Sequence, residues 1–109
     1  MIKMTKILSI ILSKETEKIT LGINFSSRQK QAGHEVRVLF FGPSETVVAN
    51  DEEISKLVGS TFSGEKPAAC IFVAQGAKIE EKLGKKTNLV KAGEYITKSI
   101  EEGFTPITF

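Results

Sequence analysis

Apolar residues in this chain fall into short unbroken runs, separated by stripes at helical spacing. The first run is Ile7-Leu8-Ser9-Ile10-Ile11-Leu12, rich in β-branched residues and followed by Ser13-Lys14. A strand with one solvated face would alternate apolar and polar positions. An unbroken run predicts a strand covered on both faces, as in a parallel sheet. Val36-Arg37-Val38-Leu39-Phe40-Phe41 reads as the second strand, ended by Gly42-Pro43-Ser44, where proline disfavours further pairing. Residues 68–74, Ala-Ala-Cys-Ile-Phe-Val-Ala, are equally continuous and read as a third buried strand. Residues 104–109 read as the last strand, confined to an edge because Pro106 has no N–H to give to a ladder.

Between these runs the period changes. Ile19, Leu21, Ile23, Phe25 and Ala32 form a broad helical stripe, with Ser13 or Thr16 as cap, Glu15 and Glu17 in the first turn, and Gly33 at the stop. Val47 to Ala49 belong to a short helix. Ile54, Leu57 and Val58 belong to a second, capped by Asn50 or Asp51. Residues 59–67 are turn-rich and predict a surface loop, the one place where a fifth strand would find room near Gly59 to Gly64. Gln75-Gly76 turns the chain into a helix around Ile79 and Leu83, residues 84–87 read as a polar linker, and Leu89, Gly93, Ile96 and Ile100 recur at helical spacing up to Gly103. The alternation predicts one domain over residues 1–109. Its class is α/β, a three-layer open and mainly parallel sheet of four or five strands with right-handed crossovers and helices on both faces.

Composition adds exclusions. With 109 residues, 40% hydrophobic and 26% charged, the chain can bury a core without metal or disulfide. Its net charge is +2, and its lysines are interleaved with glutamates instead of gathered on one face, so no nucleic-acid partner is expected. Lys82, Lys85 and Lys86 make the tightest basic group, a solvated helix end with at most a weak anion site. A single cysteine and a single histidine exclude an intrachain disulfide and a Cys-rich zinc site. Neither Gly-x-x-x-x-Gly-Lys-Ser/Thr nor Gly-x-Gly-x-x-Gly occurs, so no nucleotide cofactor is expected. Met1 to Lys6 and the six residues after them superficially suggest a leader. That run is shorter than the about 7–15 apolar residues of a secretory core or the about 20 of a membrane span, and a cytoplasmic protein without membrane contact is expected.

In open parallel sheets, ligands bind beyond the carboxyl ends of the strands. That rule gathers Ser13, Lys14, Gly42, Pro43, Ser44, Gln75 and Gly76 around one crevice, where helix N–H groups would hold an anion. Cys70 has the most obvious reactivity. Two readings stand: early in a buried strand it is a small core hydrophobe, and if exposed beside positive charge it is a sulfur carrier. His34, in Ala32-Gly33-His34-Glu35-Val36, falls at the amino end of its strand, away from the crevice, and Tyr95 reads as packing. The pairs Glu52-Glu53, Glu80-Glu81 and Glu101-Glu102 are sequence neighbours, which point different ways on a helix and make no acid–base couple.

The order and spacing of several segments resemble the DsrE/DsrF-like sulfur-relay family. They are the first strand from Lys6 to Leu12, Ala32-Gly33-His34-Glu35-Val36 leading into Leu39-Phe40-Phe41-Gly42-Pro43, a third strand ending Phe72-Val73-Ala74, and the closing Ile100-Glu101-Glu102-Gly103-Phe104. The resemblance covers almost the whole chain. It implies a three-layer, flavodoxin-like α/β fold, assembly as homo-oligomers with a trimer favoured, and relay partners that pass persulfide sulfur. It also implies a carrier cysteine just after the third strand, in an Ala-Cys-Gly context. That place reads Ala74-Gln75-Gly76, and glutamine forms no persulfide. The resemblance therefore implies a non-catalytic subunit or small-ligand-binding module, with sulfur transfer on Cys70 as the alternative.

Overall fold

The computed structural model describes residues 4–109, so Met1 to Lys3 of the amino-terminal segment lie outside the described residues. The first apolar run forms β1 (Lys6–Ile11), the stripe after it α1 (Thr16–Gln31), and the second run β2 (Glu35–Phe40). Two helices follow, α2 (Pro43–Asn50) and α3 (Glu52–Thr61). Asp51 caps α3, accepting the Ile54 N–H at 3.0 Å. The start of α1 differs from expectation. Its cap position is Glu15, with no side-chain cap bond, and Ser13 instead accepts the Glu15 N–H through its hydroxyl at 3.0 Å.

The run at residues 68–74 divides. Only β3 (Ala68–Cys70) is strand, and the chain turns at once into α4 (Ile71–Gly76) and then α5 (Glu80–Gly84). This corrects the seven-residue strand read from the sequence, because an unbroken apolar run carries no periodicity that separates a buried strand from a buried helical turn. The fifth strand is not near Gly59, which lies inside α3. It is β4 (Asn88–Val90), taken from the start of the stretch read as the last helix. Leu89 and Val90 point to opposite sides of the sheet and join different cores. Then come α6 (Ala92–Glu101) and β5 (Thr105–Thr108).

All five strands are parallel, in the order β4-β3-β2-β1-β5. β5 is an edge strand and holds Pro106 opposite Leu8. Alternation assigns the side chains to two faces. On the first, Ile11, Val38, Phe40 and Ala69 pack against Ile19 and Ile23 of α1, Val48 of α2, and Ile54 and Val58 of α3. On the second, Leu8, Ile10, Leu39, Ala68 and Cys70 meet Ala92 and Ile96 of α6, with Phe104. One ten-residue helix thus covers a face that three or more helices cover on the other side. Fully burying a side chain such as Phe40 or Leu39 stabilises by about 1.5–3 kcal/mol each, so both layers hold the sheet. The α1–β1 approach is close: a Cβ added at Gly22 would stand 2.9 Å from the Ile11 side chain and 3.1 Å from the Phe109 ring. Nearby, Ser26 Oγ lies 2.7 Å from both Ser9 Oγ and the Gly22 carbonyl, so Ser9 donates to Ser26 and Ser26 donates to the backbone.

Candidate functional site

At the carboxyl end of the sheet, the loops after β1 and β2 are bonded to each other. The Leu12 and Ser13 N–H groups donate to the Phe109 carbonyl at 2.8 and 3.2 Å, and the Phe41 N–H donates to the Ile11 carbonyl at 3.0 Å. The Ser44 N–H donates to the Leu12 carbonyl at 3.2 Å, and the Ser44 hydroxyl donates to the Ile11 carbonyl. The structure therefore brings Ser13-Lys14 and Gly42-Pro43-Ser44 together. It also uses up the Ser13, Gly42 and Ser44 N–H groups on protein acceptors, which leaves them with nothing to offer an anion. No hydrogen bond among the described residues joins Gln75 or Gly76 to these loops. They are the last, exposed residues of α4, more than a helical turn beyond the end of β3.

Gly42 has φ +80°, a conformation suited to glycine, and this turns the chain from β2 into α2. Its N–H donates to Glu45 Oε2 at 2.9 Å, and the Glu45 N–H returns a bond to the Gly42 carbonyl at 3.0 Å. Glu45 is completely buried and its Oε1 has no hydrogen-bond partner. Burial pushes its pKa from the ordinary carboxylate range up to about 7, against the pull of the Gly42 N–H bond. Sequence reasoning overlooked this carboxyl. Its signal was a glutamate three residues after the residue that starts a helix, half of a capping box.

Cys70 is the last residue of β3 and the cap position of α4, with extended backbone (φ −74°, ψ 120°). The sequence reading placed it early in a long strand; the early end of that strand puts it instead at the carboxyl rim. Cys70 is 3% exposed and belongs to the second core with Leu39, Ala68 and Ala92, a cluster against which Phe41, Val73 and Val90 pack. Two residues on, Phe72 of α4 is 61% exposed.

At the opposite end of the sheet a groove of about 360 Å³ opens between α6 and the amino ends of β2, β3 and β4. Arg37 is its fixed point. Its Nη1 donates to Ser99 Oγ at 3.0 Å and to Glu102 Oε1 at 2.8 Å, and the guanidinium lies 4.1 Å from the centroid of the Phe104 ring. The bond to Glu102 raises the Arg37 pKa and lowers that of Glu102. Burial raises the Tyr95 phenol above its ordinary value, with Arg37 acting in the opposite direction. Tyr95 thus lines the groove as a neutral hydroxyl. His34 lies outside this groove, its Nδ1 accepting the Thr5 N–H at 3.0 Å. Among the described residues no three His, Cys, Asp or Glu side chains cluster as a metal set, and no helix is long and apolar enough to cross a membrane.

No family model matches the chain, and no curated protein matches it. Among solved structures it is similar to BT1422, a conserved protein of unknown function from Bacteroides thetaiotaomicron. The TM-score is 0.78 at 16% identity, over 94% of this chain and 93% of that one. At that identity the likeness shows the fold, a three-layer α/β domain on a parallel sheet.

Proposed function

We propose that this chain is a DsrE-like sulfur-relay protein that carries sulfane sulfur on Cys70. One observation carries the reading: Cys70 is the last residue of β3 and opens α4 at the carboxyl rim, whereas Gln75 lies within α4 and not beside the end of the strand. In the DsrE/DsrF-like family the carrier cysteine stands just after the third strand, one residue further along than Cys70. The chemistry is a sulfur exchange without net oxidation. The Cys70 thiolate attacks the outer sulfur of a donor persulfide R–S–SH, and a new S–S bond forms as the old one breaks. The donor leaves as the thiolate R–S⁻, and the proton stays on the outer sulfur of the Cys70 persulfide. Cys70 is buried in the second core, to which α4 contributes Val73 and α6 Ala92 and Ile96, so loading requires that core to open. Polysulfide treatment of the native protein is expected to add multiples of one sulfur mass to the intact chain, and Cys70→Ser is expected to abolish the adduct. A native protein that stays unmodified while its denatured form reacts with a thiol reagent refutes the reading.

A second reading rests on the 3% exposure of Cys70 and on the bonded loops at the carboxyl rim: a non-catalytic subunit of a homo-oligomer, with a trimer favoured. The thinly covered second face and exposed Phe72 favour assembly. A cytoplasmic location suits either reading, since a free persulfide or thiol persists in a reducing compartment.

A further inference from the structure

We infer that the groove beneath α6 is a binding site for a small organic anion, one with a flat apolar body and a phosphate or carboxylate group. The inference is independent of any chemistry at Cys70. The floor is apolar, formed by Ala68 and Val90 on the second face of the sheet. The walls carry mostly donors. Arg37 Nη1 is engaged with Ser99 and Glu102, whereas its Nη2 and Nε bond no acceptor among the described residues. Because ring stacking and the ion pair already fix the guanidinium, it would lose little freedom on binding.

Charge bookkeeping gives the sign. Of the two carboxylates at the groove, Glu102 is paired with Arg37 at 2.8 Å and Glu65 with Lys30 at 3.3 Å. Lys66 and Lys98 also line the groove, and neither has a carboxylate within ion-pair distance among the described residues. Two cations are therefore left over, facing a space in which the half-buried Tyr95 hydroxyl is a further neutral donor. A smaller recess of about 40 Å³ shares Arg37, Lys66 and Tyr95 and adds Phe62 and Pro67, which extends the apolar floor at one end. The volume lies at the lower end of the roughly 300–1,000 Å³ of small-molecule sites, too small for a dinucleotide and sufficient for an aryl or sugar phosphate.

The test is an NMR titration of the full chain with phenyl phosphate as the probe, with phenol and inorganic phosphate run alongside. Phenyl phosphate is expected to give saturable amide shifts at Arg37, Lys66, Ala68, Asn88 and Val90, with a Kd of about 1 mM or tighter. Phenol, lacking the charge, and inorganic phosphate, lacking the ring, are expected to bind more weakly. Lys66→Ala combined with Lys98→Ala removes two exposed side chains. It is expected to weaken phenyl phosphate by roughly tenfold or more, with the rest of the amide spectrum unchanged. Shifts centred on Lys82, Lys85 and Lys86, an equal response to phenol, or no saturation at about 10 mM would each overturn the proposal.

Discussion

Replacing Glu45 by glutamine tests the buried carboxyl at the start of α2. The wild-type side chain keeps one bond, from the Gly42 N–H to Oε2 at 2.9 Å, while Oε1 is buried without a partner. Burial holds its pKa at about 7 in the folded state, against an ordinary value of 4.5. The folded protein therefore binds a proton more tightly than the unfolded chain. Below pH 4.5 both states are protonated and the carboxyl adds no pH dependence. From there up to about pH 7 the unfolded chain ionises first, and stability falls by about 1.4 kcal/mol per pH unit. The difference of 2.5 pH units makes the loss about 3 kcal/mol once pH exceeds the folded value. Glutamine keeps a carbonyl oxygen for the Gly42 N–H and carries no charge at any pH. Urea unfolding of wild type and Glu45→Gln, followed from about pH 5 to about pH 9, is expected to give a stability difference that grows with pH in favour of the variant and levels off by about 3 kcal/mol. The exposed Glu102 titrates with the opposite sign, its stabilising pairing with Arg37 being lost on acidification, and it cancels because both proteins carry it. Two parallel stability curves would mean that Glu45 is solvated or partnered in solution, and the reasoning would fall.

Two further outcomes follow from the packing and the thinly covered face. Gly22→Ala gains about 1 kcal/mol of helix propensity but forces a Cβ to 2.9 Å from Ile11, which is fully buried and cannot swing away. A net loss of about 1 kcal/mol, seen as a melting temperature lower by about 5 °C, is expected, and a raised melting temperature would contradict the close α1–β1 contact. Light scattering at micromolar concentration is expected to give the mass of a trimer, and Phe72→Asp, at an exposed aromatic position, is expected to shift it toward the monomer; a monomeric wild type refutes assembly.

The parts of the fold visible in the sequence are those where residue chemistry and period agree. The runs Ile7 to Leu12 and Val36 to Phe41 are rich in β-branched and aromatic residues, long enough to be strands, and closed by Ser13-Lys14 and Gly42-Pro43, so their bounds are right to within a residue. The errors cluster where an element is too short to express a period. β3 and β4 have three residues each, and their mutual pairing ends at Cys70↔Val90. Beyond that pair the backbone is satisfied by a helix instead, with Ala77 bonding back to the Val73 carbonyl and Ile79 to the Ala74 carbonyl. Whether an apolar residue such as Ile71 continues a strand or starts a helix depends on whether the neighbouring strand still offers a partner, and the sequence of residues 68–74 does not contain that information. The same boundary underlies the proposal for Cys70, since it moves the end of the third strand from Ala74 to Cys70. The groove under α6 was hidden for another reason. Arg37, Lys66, Tyr95 and Lys98 come from a strand, a loop and a helix spread along the chain, and only the crossover of α6 from one edge of the sheet to the other brings them together. One trace of it is local: an arginine interrupts the apolar run at Val36-Arg37-Val38, in the half-buried amino end of a strand whose other half is buried. Ser99, Glu102 and the Phe104 ring meet one side of that guanidinium, and its unused donors are what point to an anion on the other.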